Sequence, residues 1–235
     1  MYPEQLFRDL LELAGIPTGG YVLEVGPGTG QATLPLARRG CSVVGIELSP
    51  QMARRCRTNC REFPEVEVKT MAFEDWPVEP AAFNLVVSAS AFHWVRPGIG
   101  FSHAAAALKR TGHIALVWNF REDQTDPLSM DLHDVYRSLG LKPWRARPPE
   151  QRIARQRLAI EKSGRFGPVV VRGYPNARDY SANDYIALLR TMSDHAIMPA
   201  DVRRKLFAEI RKVFARHGGI FTRRFIATLL LAPKR

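Results

Sequence analysis

Cysteine is scarce in this chain, and so are the signatures that usually accompany it. Three cysteines stand in 235 residues, none in a C-x-x-C pair, so neither a disulfide framework nor a structural zinc site is expected. Cys56 and Cys60 are four apart on an expected helix and read as packing residues. No apolar run approaches the ~20 residues of a membrane span, and no signal-peptide pattern follows Met1. A cytoplasmic protein without a membrane partner is expected. G-x-S-x-G elbows, Walker loops and metal-spaced clusters of His, Asp and Glu are all missing, so no bound metal is expected. Neither an internal repeat nor a low-complexity segment is present.

Acidic residues are scarce in one half only. Residues 1–141 carry 13 basic and 16 acidic side chains, whereas residues 142–235 carry 21 and 7, within a chain of net charge +11. Such asymmetry can signal an anionic partner. Here arginine greatly outnumbers lysine along the whole chain, and Arg203, Arg204, Lys205, Arg211 and Lys212 fall opposite the apolar stripe of their helix. A solvated surface with no specific nucleic-acid partner is therefore expected, with only weak, salt-sensitive association from net charge.

What the chain does have is a strand followed by a glycine turn, Val22-Leu23-Glu24-Val25-Gly26-Pro27-Gly28-Thr29-Gly30-Gln31. The β-branched run reads as a buried parallel strand, and a helical pattern follows the glycines. Glycine lets the backbone turn sharply and leaves room for a ligand against it. The next helix offers bare N–H groups. A dinucleotide fingerprint would be G-x-G-x-x-G, but its third glycine position is Gln31 here. Glu47 ends the second strand pattern, Ser42 to Ile46, and lies 19 positions beyond Gly28. A βαβ unit places a carboxylate near there over ribose hydroxyls, and two acceptor oxygens suit a vicinal diol.

The form E-x-G-x-G-x-G resembles motif I of the class I S-adenosylmethionine-dependent methyltransferases. The run Phe83-Asn84-Leu85-Val86-Val87-Ser88-Ala89-Ser90-Ala91-Phe92-His93-Trp94-Val95 looks like the post-strand motif of small-molecule methyltransferases such as the trans-aconitate methyltransferase group. Phe73-Glu74-Asp75-Trp76-Pro77 adds to it. The resemblance covers residues 20–120 well and the remainder loosely. It implies an α/β fold, with a doubly wound, Rossmann-like seven-stranded sheet. That sheet would be mostly parallel with an antiparallel C-terminal strand, plus a small helical lid. It also implies S-adenosyl-L-methionine as cofactor, with Gly26 and Gly28 against its methionine part and ribose, Glu24 near its amino group, and Leu48 and Ser90 beside it. Around the adenine many relatives carry Asp where this chain has Ala72. Glu74 or Asp75 would then take the exocyclic amine, or the backbone at Phe73 alone.

One domain over 1–235 is expected, with an N-terminal helix in 1–18 covering part of the cleft. A cofactor-binding core would follow in 19–120, and a C-terminal half in 121–235 with a lid at about 176–218. Helices are expected over Pro3–Ala14, Ala32–Arg39, Ser49–Cys60, Gly98–Lys109 and Asp126–Leu139, and again before Ser163. Two more would form the lid, one from the Ser181-x-x-Asp184 capping box to Met192 and one from Pro199 to His217. Strands are expected at Val66–Thr70, Phe83–Ser88, Gly112–Trp118, Pro168–Tyr174 and Phe221–Leu231, and a loop or hinge at 142–149.

The reading is methyl transfer to a small organic acceptor at oxygen, nitrogen or carboxylate, by a monomer or homodimer. His93 is the candidate base, and Phe92, His93, Trp94, Arg121 and His195 are the candidate acceptor pocket. An RNA methyltransferase and a non-catalytic binding domain retaining the fold are the alternatives. The strand-four motif is not the Asn/Asp-Pro-Pro-Tyr type used on base nitrogens. An NAD-dependent oxidoreductase is disfavoured by Gln31.

Overall fold

The computed structural model describes residues 2–143 and 149–235; most of the hinge expected at 142–149 lies outside them. The first half alternates strand and helix: α1 (Glu4–Leu13), β1 (Tyr21–Val25), α2 (Thr33–Ala37), β2 (Ser42–Glu47), α3 (Pro50–Asn59), β3 (Val66–Thr70), β4 (Phe83–Ala89), α4 (Pro97–Ala107) and β5 (Leu108–Arg121). There follow α5 (Pro127–Ser138), α6 (Pro149–Lys162), β6 (Val170–Ser181), α7 (Ala182–Arg190), α8 (Ser193–Ala196), α9 (Ala200–Arg216) and β7 (Ile220–Pro233). Among the described residues no helix is long and apolar enough to cross a membrane.

The seven strands form one sheet in the order β3-β2-β1-β4-β5-β7-β6. Parallel pairing joins β1 to β2 and β4, β2 to β3, and β4 to β5; one strand of the sheet is antiparallel. The chain thus leaves β1 toward β2 and β3, then returns to the other side of β1 with β4. That reversal is a topological switch point, and its carboxyl end is where open α/β sheets hold ligands.

Two compact units divide the chain. One comprises 1–119, 148–174 and 227–235, and the other comprises 120–147 and 175–226. The second is larger than the lid expected at 176–218, because α5 shares a core with α7 and α9. Leu128, Leu132 and Tyr136 lie in one buried cluster with Ile186, Leu189, Leu206, Ile210 and Phe214. In the first unit, Leu6, Phe7 and Leu10 of α1 are buried with Val22, Leu36, Val43, Leu85 and Val117.

Local signals are realised closely. Ser49 caps α3 by accepting from Met52 N–H, with Pro50 at the first helical position, and Ser181 with Asp184 closes a full capping box on α7. Four elements differ from expectation in their limits. α4 stops at Ala107, short of Lys109, because Ala81 and Ala82 N–H donate to the Ala106 and Ala107 carbonyls at 2.8 and 2.9 Å. β5 therefore begins at once at Leu108 and runs past Trp118 to Arg121. β6 likewise continues past Tyr174. α2 is only five residues long, Thr33–Ala37, closed by successive turns before Gly40.

One acidic side chain sits inside the sheet. Glu24, next to the last residue of β1, is fully buried; its Oε2 accepts from Thr33 Oγ1–H at 2.6 Å, while Oε1 is buried without a partner. Burial pushes this carboxyl up to about 7, against the Thr33 hydrogen bond and helped by the charge of Glu47. A raised carboxyl pKa means that the folded protein keeps a proton which the unfolded chain releases near 4.5. Stability from this group is full below that value and is lost as pH rises through about 7, an effect of about 3 kcal/mol. Glu24→Gln should therefore flatten the decline in melting temperature between pH 5 and pH 8; an unchanged decline would place the titrating group elsewhere.

Candidate active site

The turn after β1 is held by its neighbours on both sides. Gly26 N–H donates to Ile46 O at 2.9 Å, and Ser88 Oγ donates to Val25 O at 2.7 Å. Gly26 has φ +70°, and a Cβ there would lie 2.4 Å from that of Ala91. Only glycine lets the exits of β1 and β4 approach so closely. Gly28 also has positive φ, but nothing lies within 4 Å of the position a Cβ would take. Its open side leaves backbone accessible to a ligand.

Beside that opening stands Glu47. Its Oε2 accepts from Gly28 N–H and its Oε1 from Ser49 N–H, both at 2.9 Å, and the residue is 8% exposed. Each carboxylate oxygen retains a further lone pair, so the group is oriented yet still able to accept. Leu48, the next residue, is 71% exposed, an apolar side chain offered to solvent beside a fixed carboxylate. Glu24 lies beneath the turn rather than on its open face. Its Oε1 is buried there without a partner.

Phe73 is buried against Trp76, with ring centroids 5.9 Å apart. Its N–H begins a 3-10 turn and so has no acceptor within it. Glu74, expected at an adenine amine, is already engaged: its Oε1 accepts from Arg96 N–H at 3.0 Å. That bond holds its carboxyl below the usual range. Glu74 thus ties this turn to the start of α4, while Asp75 is exposed.

At the end of β4, Ser90 takes a left-handed conformation with φ +59°. Strain of this kind in a non-glycine residue clusters at functional sites. Ser90 N–H donates to Val117 O, and its Oγ meets Tyr2 OH at 2.9 Å, which brings the start of the chain to this edge. Phe92, expected in an acceptor pocket, is instead core: it is 4% exposed and packs on Phe101 with centroids 5.0 Å apart. The next two residues turn outward. His93 and Trp94 are exposed, their rings 4.9 Å apart. Partial burial, then the charge of Arg152, push the His93 imidazole toward its neutral form.

Arg121 and His195 belong to the second unit. His195 is buried in α8, not in a surface loop; Nδ1 meets Asp194 Oδ1 at 2.8 Å and Nε2 meets Tyr136 OH at 2.7 Å. With Nδ1–H donating to the carboxylate, Nε2 accepts from the tyrosine. Both residues line a cavity of about 590 Å³, counted with its mouth, together with Tyr185, Phe221 and Arg223. The sequence reading passed over Arg223. Its signal was the period-two alternation of a strand, which puts it on the face of Phe221, and both are buried.

Comparison with known proteins is consistent with this geometry. Residues 22–112 match the family model of a methyltransferase domain. An uncharacterized methyltransferase of Mycobacterium tuberculosis is 27% identical over 201 residues, 85% of this chain and 75% of that one. The demethylmenaquinone methyltransferase of Tropheryma whipplei is 30% identical over 113 residues, 48% of this chain and 47% of its own. Among solved structures, a protein of Anaeromyxobacter dehalogenans assigned as a type II methyltransferase superposes with TM-score 0.70 at 18% identity, over 99% of this chain and 96% of that one. Geranyl diphosphate C-methyltransferase of Streptomyces coelicolor, solved with S-adenosyl-L-homocysteine, gives 0.55 at 16% identity, over 98% and 79%. By its matched domain, its relatives and its class I Rossmann-like sheet, the chain is an S-adenosylmethionine-dependent methyltransferase.

Proposed function

We propose that this chain transfers the methyl group of S-adenosyl-L-methionine to a small organic acceptor by in-line displacement. The observation that carries the reading is Glu47, clamped by the N–H groups of Gly28 and Ser49 beside an open glycine backbone. Glu47 would accept from the ribose hydroxyls, Leu48 would cover one face of the adenine and Phe73 N–H would address its edge. The opening at Gly28 would admit the ribose and methionine part, and Glu24 Oε1 would face the amino group. When bound, the cofactor supplies an activated methyl carbon on a sulfonium.

The chain's remaining task is alignment and exclusion of water, which can be worth about 7–11 kcal/mol. The Trp94 face, beside the strained Ser90 corner, suits a cationic sulfur. His93, held toward its neutral form, would take the proton of a hydroxyl or amine acceptor; a carboxylate acceptor needs no base. A small acceptor is favoured over nucleic acid because the motif after the fourth strand is not the Asn/Asp-Pro-Pro-Tyr type used on base nitrogens. The likeness of residues 83–95 to small-molecule methyltransferases of the trans-aconitate type points the same way.

Calorimetric titration should find micromolar binding of S-adenosyl-L-homocysteine and none of NAD; NAD binding in its place would overturn the assignment. Glu47→Ala should weaken cofactor binding by about tenfold or more, since hydrogen bonds to a charged group contribute about 1.5–3 kcal/mol. An unchanged dissociation constant would remove Glu47 from the site. With an acceptor in hand, His93→Ala should lower kcat while leaving the cofactor Kd unchanged; loss of cofactor binding instead would make His93 a binding residue.

A further inference from the structure

The cavity of the second unit is lined by a buried cation, Arg223. Arg223 is 3% exposed, and its guanidinium lies over three aromatic faces, 5.5 Å from Tyr185, 5.8 Å from Tyr180 and 5.4 Å from Phe225. Among the described residues it makes no ion pair. Contacts with π faces offset part of the cost of burying a cation, but that cost is several kcal/mol. A second guanidinium stands near it. Burial, then the charge of Arg223, bring Arg121 down to about 9; a guanidinium stays protonated in proteins, so the two cations oppose each other.

We infer that this cavity binds a small monocarboxylate with an apolar body, its carboxylate held between Arg121 and Arg223. Two guanidinium forks match the two oxygens of a carboxylate. The apolar part has its own wall in Leu132, Leu189, Met192 and Phe221. Tyr136 and His195 do not compete for the ligand's charge, because their polar atoms are committed to each other and to Asp194.

Acidic neighbours set the limit on ligand charge. Glu122 and Asp123 also line the cavity; Asp123 is exposed and acts on Arg121, whereas the groups that act on Arg223 are Tyr185, Tyr180, Tyr136 and the opposing Arg121. Carboxylates at the rim repel polyanions such as nucleotides, yet leave the buried cation unanswered. An amine fits no better, since it would meet Arg223 directly.

The test uses the full chain and needs no methyl transfer. Hexanoate and phenylacetate are titrated by calorimetry, each against its alcohol, hexanol and phenylethanol. At least one acid should bind about tenfold or more tightly than its alcohol, as expected for charge-assisted hydrogen bonds. Arg223→Met should abolish that preference and Arg223→Lys restore part of it. Arg121→Gln, at a half-buried site where folding is less at risk, should weaken the acid by at least about fivefold. Failure of both acids to bind, equal binding of acid and alcohol, or an unchanged affinity in Arg121→Gln would each overturn the inference. A parallel titration with S-adenosyl-L-homocysteine separates the two readings. Cofactor binding without acid binding defeats only this one, and acid binding without cofactor binding defeats only the methyl-transfer reading.

Discussion

The two hydrogen bonds that Gly28 and Ser49 N–H donate to the Glu47 carboxylate hold the first unit's site together. The Gly28 bond joins the exit of β1 to the exit of β2, and the Ser49 bond fixes the carboxylate from its own side. Everything near them follows from that junction. Gly26 must lack a Cβ because Ala91 approaches there, Ser88 binds the last carbonyl of β1, and Ser90 is pressed into a left-handed conformation as β4 leaves the sheet. The carboxylate is oriented before any ligand arrives, so a bound diol would not have to order it. Preorganisation of that kind is where binding energy is saved.

Charge is distributed with a similar logic at three depths. Glu47 is nearly buried and doubly hydrogen-bonded, whereas Glu24 beneath it has one partner and a carboxyl pushed up to about 7. The difference is environment, since both are glutamates at or next to the ends of adjacent strands. Arg223 in the second unit is the converse case, a cation buried among aromatic rings. Buried charges without full pairing are costly to stability, and such groups are enriched where ligands bind.

Much of this was legible in the sequence where the controlling partner is near in the chain. Ser49-Pro50 and Ser181-x-x-Asp184 specify caps within one helical turn, and the structure realises both. The glycine turn and Glu47 were readable because a βαβ unit fixes their separation. Other features depend on distant partners. Glu74 is drawn to Arg96, 22 residues on, so an acidic loop residue that seemed available is engaged. The end of α4 is set by N–H groups before β4 that no helix signal encodes. Phe92 immediately precedes two residues that face outward, and its packing on Phe101 separates it from them. The burial of Arg223 depends on Tyr180 and Tyr185, which stand on other elements.

The central claim is that the Glu47 carboxylate receives the ribose of the methyl donor. A crystal structure of the full chain grown with S-adenosyl-L-homocysteine tests it most directly. The account predicts both ribose hydroxyls within hydrogen-bond distance of the Glu47 oxygens, with the Gly28 and Ser49 bonds retained. A nucleoside bound away from Glu47, or a Glu47 carboxylate turned out of the site, would contradict it.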